Sequence, residues 1–219
     1  MYCFRYFVYL LVFIGYSISY AGSYDDFFQA LERDEAFPVK TLLKRGFDPN
    51  SVDPRGEPAL IAALRQSAFQ VAQVLLDNPA TDVNVRSAKA ETPLMLAAIK
   101  GELGLCRQLI ARDADINHPG WTPLHYAASF EGRADVVNLL LANFAYIDAA
   151  SPNGTTPLMM AAGYGSIDAL KALLAAGADA SLKNARGLTA LDFATQADRP
   201  EGVDLIARAL RGVPSGGDW

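Results

Sequence analysis

Apolar residues in this chain fall into short blocks, and one block recurs. It reads Thr122-Pro123-Leu124-His125-Tyr126-Ala127-Ala128 near the middle of the chain. Thr92-Pro93-Leu94-Met95-Leu96-Ala97-Ala98 precedes it and Thr156-Pro157-Leu158-Met159-Met160-Ala161-Ala162 follows. Pro58-Ala59-Leu60-Ile61-Ala62-Ala63 and Thr189-Ala190-Leu191-Asp192-Phe193-Ala194 are worn copies. From Leu60 the marker leucines Leu94, Leu124, Leu158 and Leu191 follow at intervals of 34, 30, 34 and 33 residues. Each block predicts a short helix. Thr suits the N-cap, and Pro is tolerated in the first turn because its missing N–H would be unpaired there anyway. Leu turns inward, and the Ala pair lets a second helix approach closely. Leu75-Leu76, the stretch around Cys106, and Leu173-Leu174 mark second helices. One helix pair cannot bury its apolar face alone, so neighbouring pairs must stack.

The period near 33 and the T-P-L-H-x-A block resemble ankyrin repeats, over residues 24 to about 211. The resemblance implies an all-α fold: a solenoid of about six helix-turn-helix repeats joined by short β-hairpin fingers. The repeats are expected at about 22–50, 51–84, 85–117, 118–148, 149–181 and 182–212. The first is degenerate, with Phe27 and Ala30 standing 33 residues before Leu60 and Ala63. A terminal repeat meets water on one face, so it departs from the pattern. The main irregularity follows Asn117. Asn117 to Leu124 spans 7 residues, whereas Asn50 to Leu60, Asn84 to Leu94 and Asp148 to Leu158 each span 10. The finger at His118-Pro119-Gly120-Trp121 is therefore expected to be stunted, leaving a gap beside an exposed Trp121.

The two ends carry different signals. Arg5 precedes an uncharged run from Tyr6, and Ser19-Tyr20-Ala21 places small residues at the −3 and −1 positions. Residues 1–21 read as a signal peptide cleaved after Ala21. The alternative is an uncleaved anchor, since Tyr6 to Tyr24 is 19 uncharged residues, near the minimum for a membrane span. Either reading exports the repeats, to the periplasm in a bacterium, with an inner-membrane anchor or secretion as the alternatives. Residues 213–219 are expected to form a flexible tail.

Charge and chemistry narrow the functions. The net charge is −5, and Arg5 is the leader's only charged residue, so the mature chain carries −6. An acidic balance argues against general nucleic-acid binding. Of two cysteines, Cys106 would stand alone after cleavage, at an apolar helix position that reads as core. His125 is the consensus histidine of the block and reads as structural. His118 has no nearby ligand set. Asp113-Ala114-Asp115-Ile116-Asn117 imitates the start of a calcium loop, but His118 stands at the sixth position and Leu124 at the twelfth. Gly163-Tyr164-Gly165 does not continue into a phosphate loop. Asp25-Asp26 reads as helix-start solvation. Asn153-Gly154-Thr155 is a glycosylation sequon and also good turn chemistry. No catalytic, cofactor or metal site is expected.

The resemblance implies a non-enzymatic binder of another protein, docking on finger tips and first helices. One finger column reads Arg55, Lys89, Asn153 and Arg186, and a column at the ends of the first helices reads Gln66, Lys100, Phe130 and Tyr164. Trp121, Phe130 and Tyr164 are predicted to be neighbours, with Lys100 in the same column and a basic edge of Arg55, Lys89 and Arg186 beside them. Aromatic residues are enriched among interface hot spots. The expected protein is a monomeric exported scaffold. The alternatives are a specific inhibitor or immunity-type binder of an envelope enzyme, or a membrane-tethered adaptor.

Overall fold

The computed structural model describes residues 22–212. The expected signal peptide, 1–21, and tail, 213–219, lie outside the described residues. The chain divides into two compact units between Ala88 and Lys89.

The first unit holds α1 (residues 22–32), α2 (Ala36–Lys44), α3 (Ala59–Gln66) and α4 (Phe69–Leu76). Phe27 is fully buried and stacks on Phe47 at 4.5 Å between ring centroids. Asp34 accepts a hydrogen bond from the Val71 N–H at the start of α4. After α4, the buried Thr81 hydroxyl donates back to the Leu75 carbonyl, which gathers in the slightly longer segment that follows this helix.

The second unit holds α5 (Pro93–Lys100), α6 (Leu103–Ala111), α7 (Pro123–Ala128), α8 (Ala134–Ala142), α9 (Pro157–Gly163), α10 (Ile167–Ala175), α11 (Ala190–Gln196) and α12 (Pro200–Leu210). It is built as two rows. First helices α5, α7, α9 and α11 pack side by side, and second helices α6, α8, α10 and α12 pack behind them. Helices this short are marginal in isolation, so packing between pairs stabilises them. The Ala pairs are the contact surface: Ala97, Ala98, Ala127, Ala128, Ala161 and Ala162 are buried. Among the described residues, no helix is long and apolar enough to cross a membrane.

The recurring block does what its chemistry predicts. Thr92, Thr122, Thr156 and Thr189 are N-caps, and Pro93, Pro123 and Pro157 open their helices. The residue at the fourth position of the block closes the cap from the other side. The Thr N–H donates to Met95 Sδ, His125 Nδ1, Met159 Sδ and Asp192 Oδ2 in turn. Cys106 is fully buried, and burial pushes its thiol up to about 12.

The fingers are turns rather than hairpins. Among the described residues, the strand-type pairing is one isolated bridge, Val52 to Pro58. A repeated five-residue reversal takes the place of a ladder. The N–H groups of Asp53, Ser151 and Asn184 donate to the carbonyls of Glu57, Thr155 and Leu188. Gly56, Gly154 and Gly187 donate back to Asp53, Ser151 and Asn184, each glycine at positive φ. So short a reversal leaves little length for strand pairing, and the Ala185 N–H instead reaches the Asn153 carbonyl of the preceding finger.

Layers are tied by polar side chains at the end of the preceding loop. Asn50 donates to the Ala80 carbonyl and accepts from the Asp82 N–H, 30 and 32 residues on. Asn117 does the same to Phe144 and Tyr146, 27 and 29 residues on. The difference is three residues, the number lost from the finger after Asn117. The deletion shortens the finger and leaves the staple intact.

Candidate partner-binding groove

The second unit carries an open groove of about 630 Å³. Its floor comes from α9 and α11, through Met160, Gly163 and Phe193, and its rim from the fingers, through Asn153, Asn184 and Arg186. Trp121, from the shortened finger, and Tyr164, just after α9, also line it.

Each wall residue has a local cause. Gly163 ends α9, and a Cβ there would stand 3.1 Å from Phe193 Cδ1, so glycine makes room for that ring. Tyr164 is exposed and meets Phe193 edge to face at 6.5 Å. Trp121 is half-buried rather than exposed. Its ring stands edge-on to His125 at 5.2 Å, because the stunted finger draws it down onto α7. Asn184 is buried and builds the last finger by accepting from the Arg186 and Leu188 N–H groups, which sets Arg186 at the tip.

His125 lies beneath Trp121 and is inaccessible to solvent. Its Nδ1 accepts from the Thr122 N–H at 3.1 Å, so the ring proton sits on Nε2, which donates to the Thr155 carbonyl at 2.9 Å. The residue therefore ties one finger base to the next helix pair. Burial depresses its pKa to about 4, against the weaker raising effect of the Thr155 carbonyl. His118 is also buried. Its Nδ1 stands 2.9 Å from the Pro119 carbonyl, and its Nε2 has no hydrogen-bond partner among the described residues.

Of the seven residues singled out by sequence, Trp121, Tyr164 and Arg186 line one groove. Phe130 does not. It is exposed, and its ring lies 5.9 Å from the Arg133 guanidinium carbon, while Arg133 is itself held by the Ile99 carbonyl at the end of α5. Of the expected Trp121, Phe130 and Tyr164 cluster, two members line the groove, while Phe130 lies in the inter-helix turn after α7, which ends at Ala128. Lys100 is the last residue of α5 and Lys89 lies before that helix; neither lines the groove. Arg55 belongs to the first unit, beside a smaller recess of about 230 Å³. Its guanidinium donates twice to the buried Asp53 carboxylate, at 2.9 and 2.7 Å, so its charge is compensated. Burial alone would raise Asp53, but the Glu57 and Arg55 N–H groups and the Arg55 guanidinium outweigh it and hold the carboxyl below its ordinary value.

Phe193 and Asn184 were not anticipated. Phe193 occupies the block column of Leu96, Tyr126 and Met160 and was visible there as a bulky member. Asn184 shares its finger position with Asp53 and Ser151, a polar column that the tip columns overshadow.

A family model for ankyrin repeats matches residues 79–151 and 132–212, which together span more than half of the chain. This chain belongs to the ankyrin-repeat family. It is 36% identical over 126 residues to human neurogenic locus notch homolog protein 1, and 38% identical over 125 residues to the mouse protein. It is 32% identical over 112 residues to rat ankyrin repeat and SAM domain-containing protein 6. These matches cover 56, 56 and 49% of this chain, but only 5, 5 and 12% of those proteins. What is shared is the repeat array, a protein-interaction module.

Proposed function

We propose that this chain is an exported, non-enzymatic binder that captures a segment of another protein in the groove between Trp121 and Tyr164. The observation that carries the reading is the groove itself. A tryptophan and an exposed tyrosine line one space of about 630 Å³, together with an arginine. Large aromatic side chains and arginine are the residue types that dominate binding energy at protein interfaces. Export rests on the leader pattern ending in Ser19-Tyr20-Ala21. The molecule works as a monomeric scaffold with no cofactor, and neither nucleic acid nor the membrane is its ligand.

Tagged protein recovered from its native cell envelope is expected to begin at Gly22 and to bring down one partner in stoichiometric amount. Trp121→Ala with Tyr164→Ala should weaken that complex by about 2–4 kcal/mol while the helical circular dichroism is retained. Unchanged affinity would remove the groove from the account. A chain recovered with Met1 intact would replace the soluble binder with a tethered adaptor.

A further inference from the structure

We infer the chemistry of the segment that the groove takes: an apolar stretch of a partner protein that carries an aspartate or glutamate, whose carboxylate is met by Arg186. The inference rests on the groove proposed above and adds what selects its occupant.

Two fingers share a plan and differ in what faces their arginine. Asp53-Pro54-Arg55-Gly56-Glu57 and Asn184-Ala185-Arg186-Gly187-Leu188 make the same reversal, with arginine in the same place. In each, Oδ1 of the first residue accepts the N–H groups two and four residues on. In the first of these fingers the other oxygen, Asp53 Oδ2, accepts from the Arg55 guanidinium at 2.9 and 2.7 Å. In the last finger that place belongs to the Asn184 side-chain –NH2, which donates and cannot hold a cation. The two N–H donors at Oδ1 fix which end of the amide is which. Asn184 therefore keeps the turn and gives up the counter-charge. Arg186 is exposed, and among the described residues its guanidinium has no hydrogen-bond or ion-pair partner.

The surroundings supply no counter-charge either. None of the residues lining the groove is acidic, although the chain carries a net charge of −5. Asp192, the acid of α11, lies outside the lining and accepts from the Thr189 N–H and hydroxyl at the helix cap. The rim adds donors. The Asn153 side-chain oxygen accepts from the Ser151 hydroxyl and the Thr155 N–H, at 2.6 and 3.2 Å, so Asn153 also has its –NH2 to offer. A guanidinium with amide –NH2 groups beside it suits a carboxylate, which only accepts. Trp121, Tyr164 and Phe193 in the same groove suit apolar side chains. A basic segment, which the acidic body would attract, finds no carboxylate there.

The test uses the full chain and a displayed library of random peptides. Selection on the parent should enrich aspartate or glutamate next to aromatic or large aliphatic residues. One enriched peptide is then synthesised with its acid and with glutamine in its place. Asn184→Asp restores the Asp53 arrangement around Arg186. It should melt with the parent and bind the acidic peptide at least about tenfold more weakly. Arg186→Gln, at an exposed tip, should do the same, and decides the matter if Asn184→Asp disturbs the finger. Glutamine in the peptide should cost the parent a similar factor and Asn184→Asp little, a coupling that a merely structural Asn184 would not produce. Enrichment of basic or uncharged peptides, or of none, would overturn the inference. So would full binding by both variants, preference for single-stranded nucleic acid, or self-association of the parent through the groove. Trp121→Ala with Tyr164→Ala separates the two readings. If it weakens the peptide while Asn184→Asp and Arg186→Gln do not, the groove stands and the carboxylate falls. If no variant matters, the groove falls as well.

Discussion

His125 shows how one side chain joins two layers and sets a pH limit on the fold. Its folded pKa of about 4 lies below the ordinary histidine value of 6.5, because burial disfavours the charged ring. The folded state therefore binds a proton less readily than the unfolded one. This contribution to stability is complete above about pH 6.5 and is lost as pH falls toward 4. We expect urea unfolding to report a loss of the order of 3 kcal/mol from this residue between pH 7 and pH 4. His125→Gln should lower stability at pH 7 and flatten that pH dependence. An unchanged slope in the variant would mean that other groups govern acid sensitivity. The identity of His125 was legible in the block, and so was its structural role. Its bond to Thr155 was not, because a residue 30 positions away must first be brought beside it by stacking.

At the scale of elements, close approach between layers depends on what is missing as much as on what is present. Arg133 reaches back to the Ile99 carbonyl at the end of α5, and Arg199 to the Ala161 and Ala162 carbonyls at the end of α9. A cation suits a helix C-terminus, where carbonyls lack intrahelical partners. Between those two sites Gly165 lets the layers approach: its N–H bonds within its own layer, to Met160 and Ala161, and its backbone lies so close to Ala128 that a Cβ would collide with that carbonyl oxygen. Gly165→Ala should destabilise the second unit by about 2–3 kcal/mol, read as a shifted urea midpoint. Asn117→Ala removes two bonds across layers and should cost about 2 kcal/mol. The Thr-Pro blocks announced the first helices because capping is local. The extent of α7 was not announced. It ends at Ala128, two residues short of where α5 would place it and one short of where α9 would, so Phe130 falls in the inter-helix turn.

For the whole molecule, the division between Ala88 and Lys89 has a measurable consequence. In a repeat array each layer is stabilised chiefly by its neighbours, so damage spreads through contiguous layers. Native-state hydrogen exchange of Gly165→Ala should quicken from α7 to α11 and leave α2 to α4 at parent rates. Uniform acceleration would show that the chain unfolds as one cooperative body.

Sequence alone determined the repeat period, the helix starts, the buried alanines, the core position of Cys106 and the shortened finger after Asn117. Each depends on interactions within a few residues, or on a pattern repeated often enough to be read without coordinates. Tertiary structure decided which marked residues meet. It put Trp121 with Tyr164, Phe193 and Arg186, paired Phe130 with Arg133, and neutralised Arg55 on Asp53. Those outcomes turn on small shifts, an early helix end or the reach of one side chain. Such shifts are set by packing between layers, and so they leave no local signature in the residues themselves.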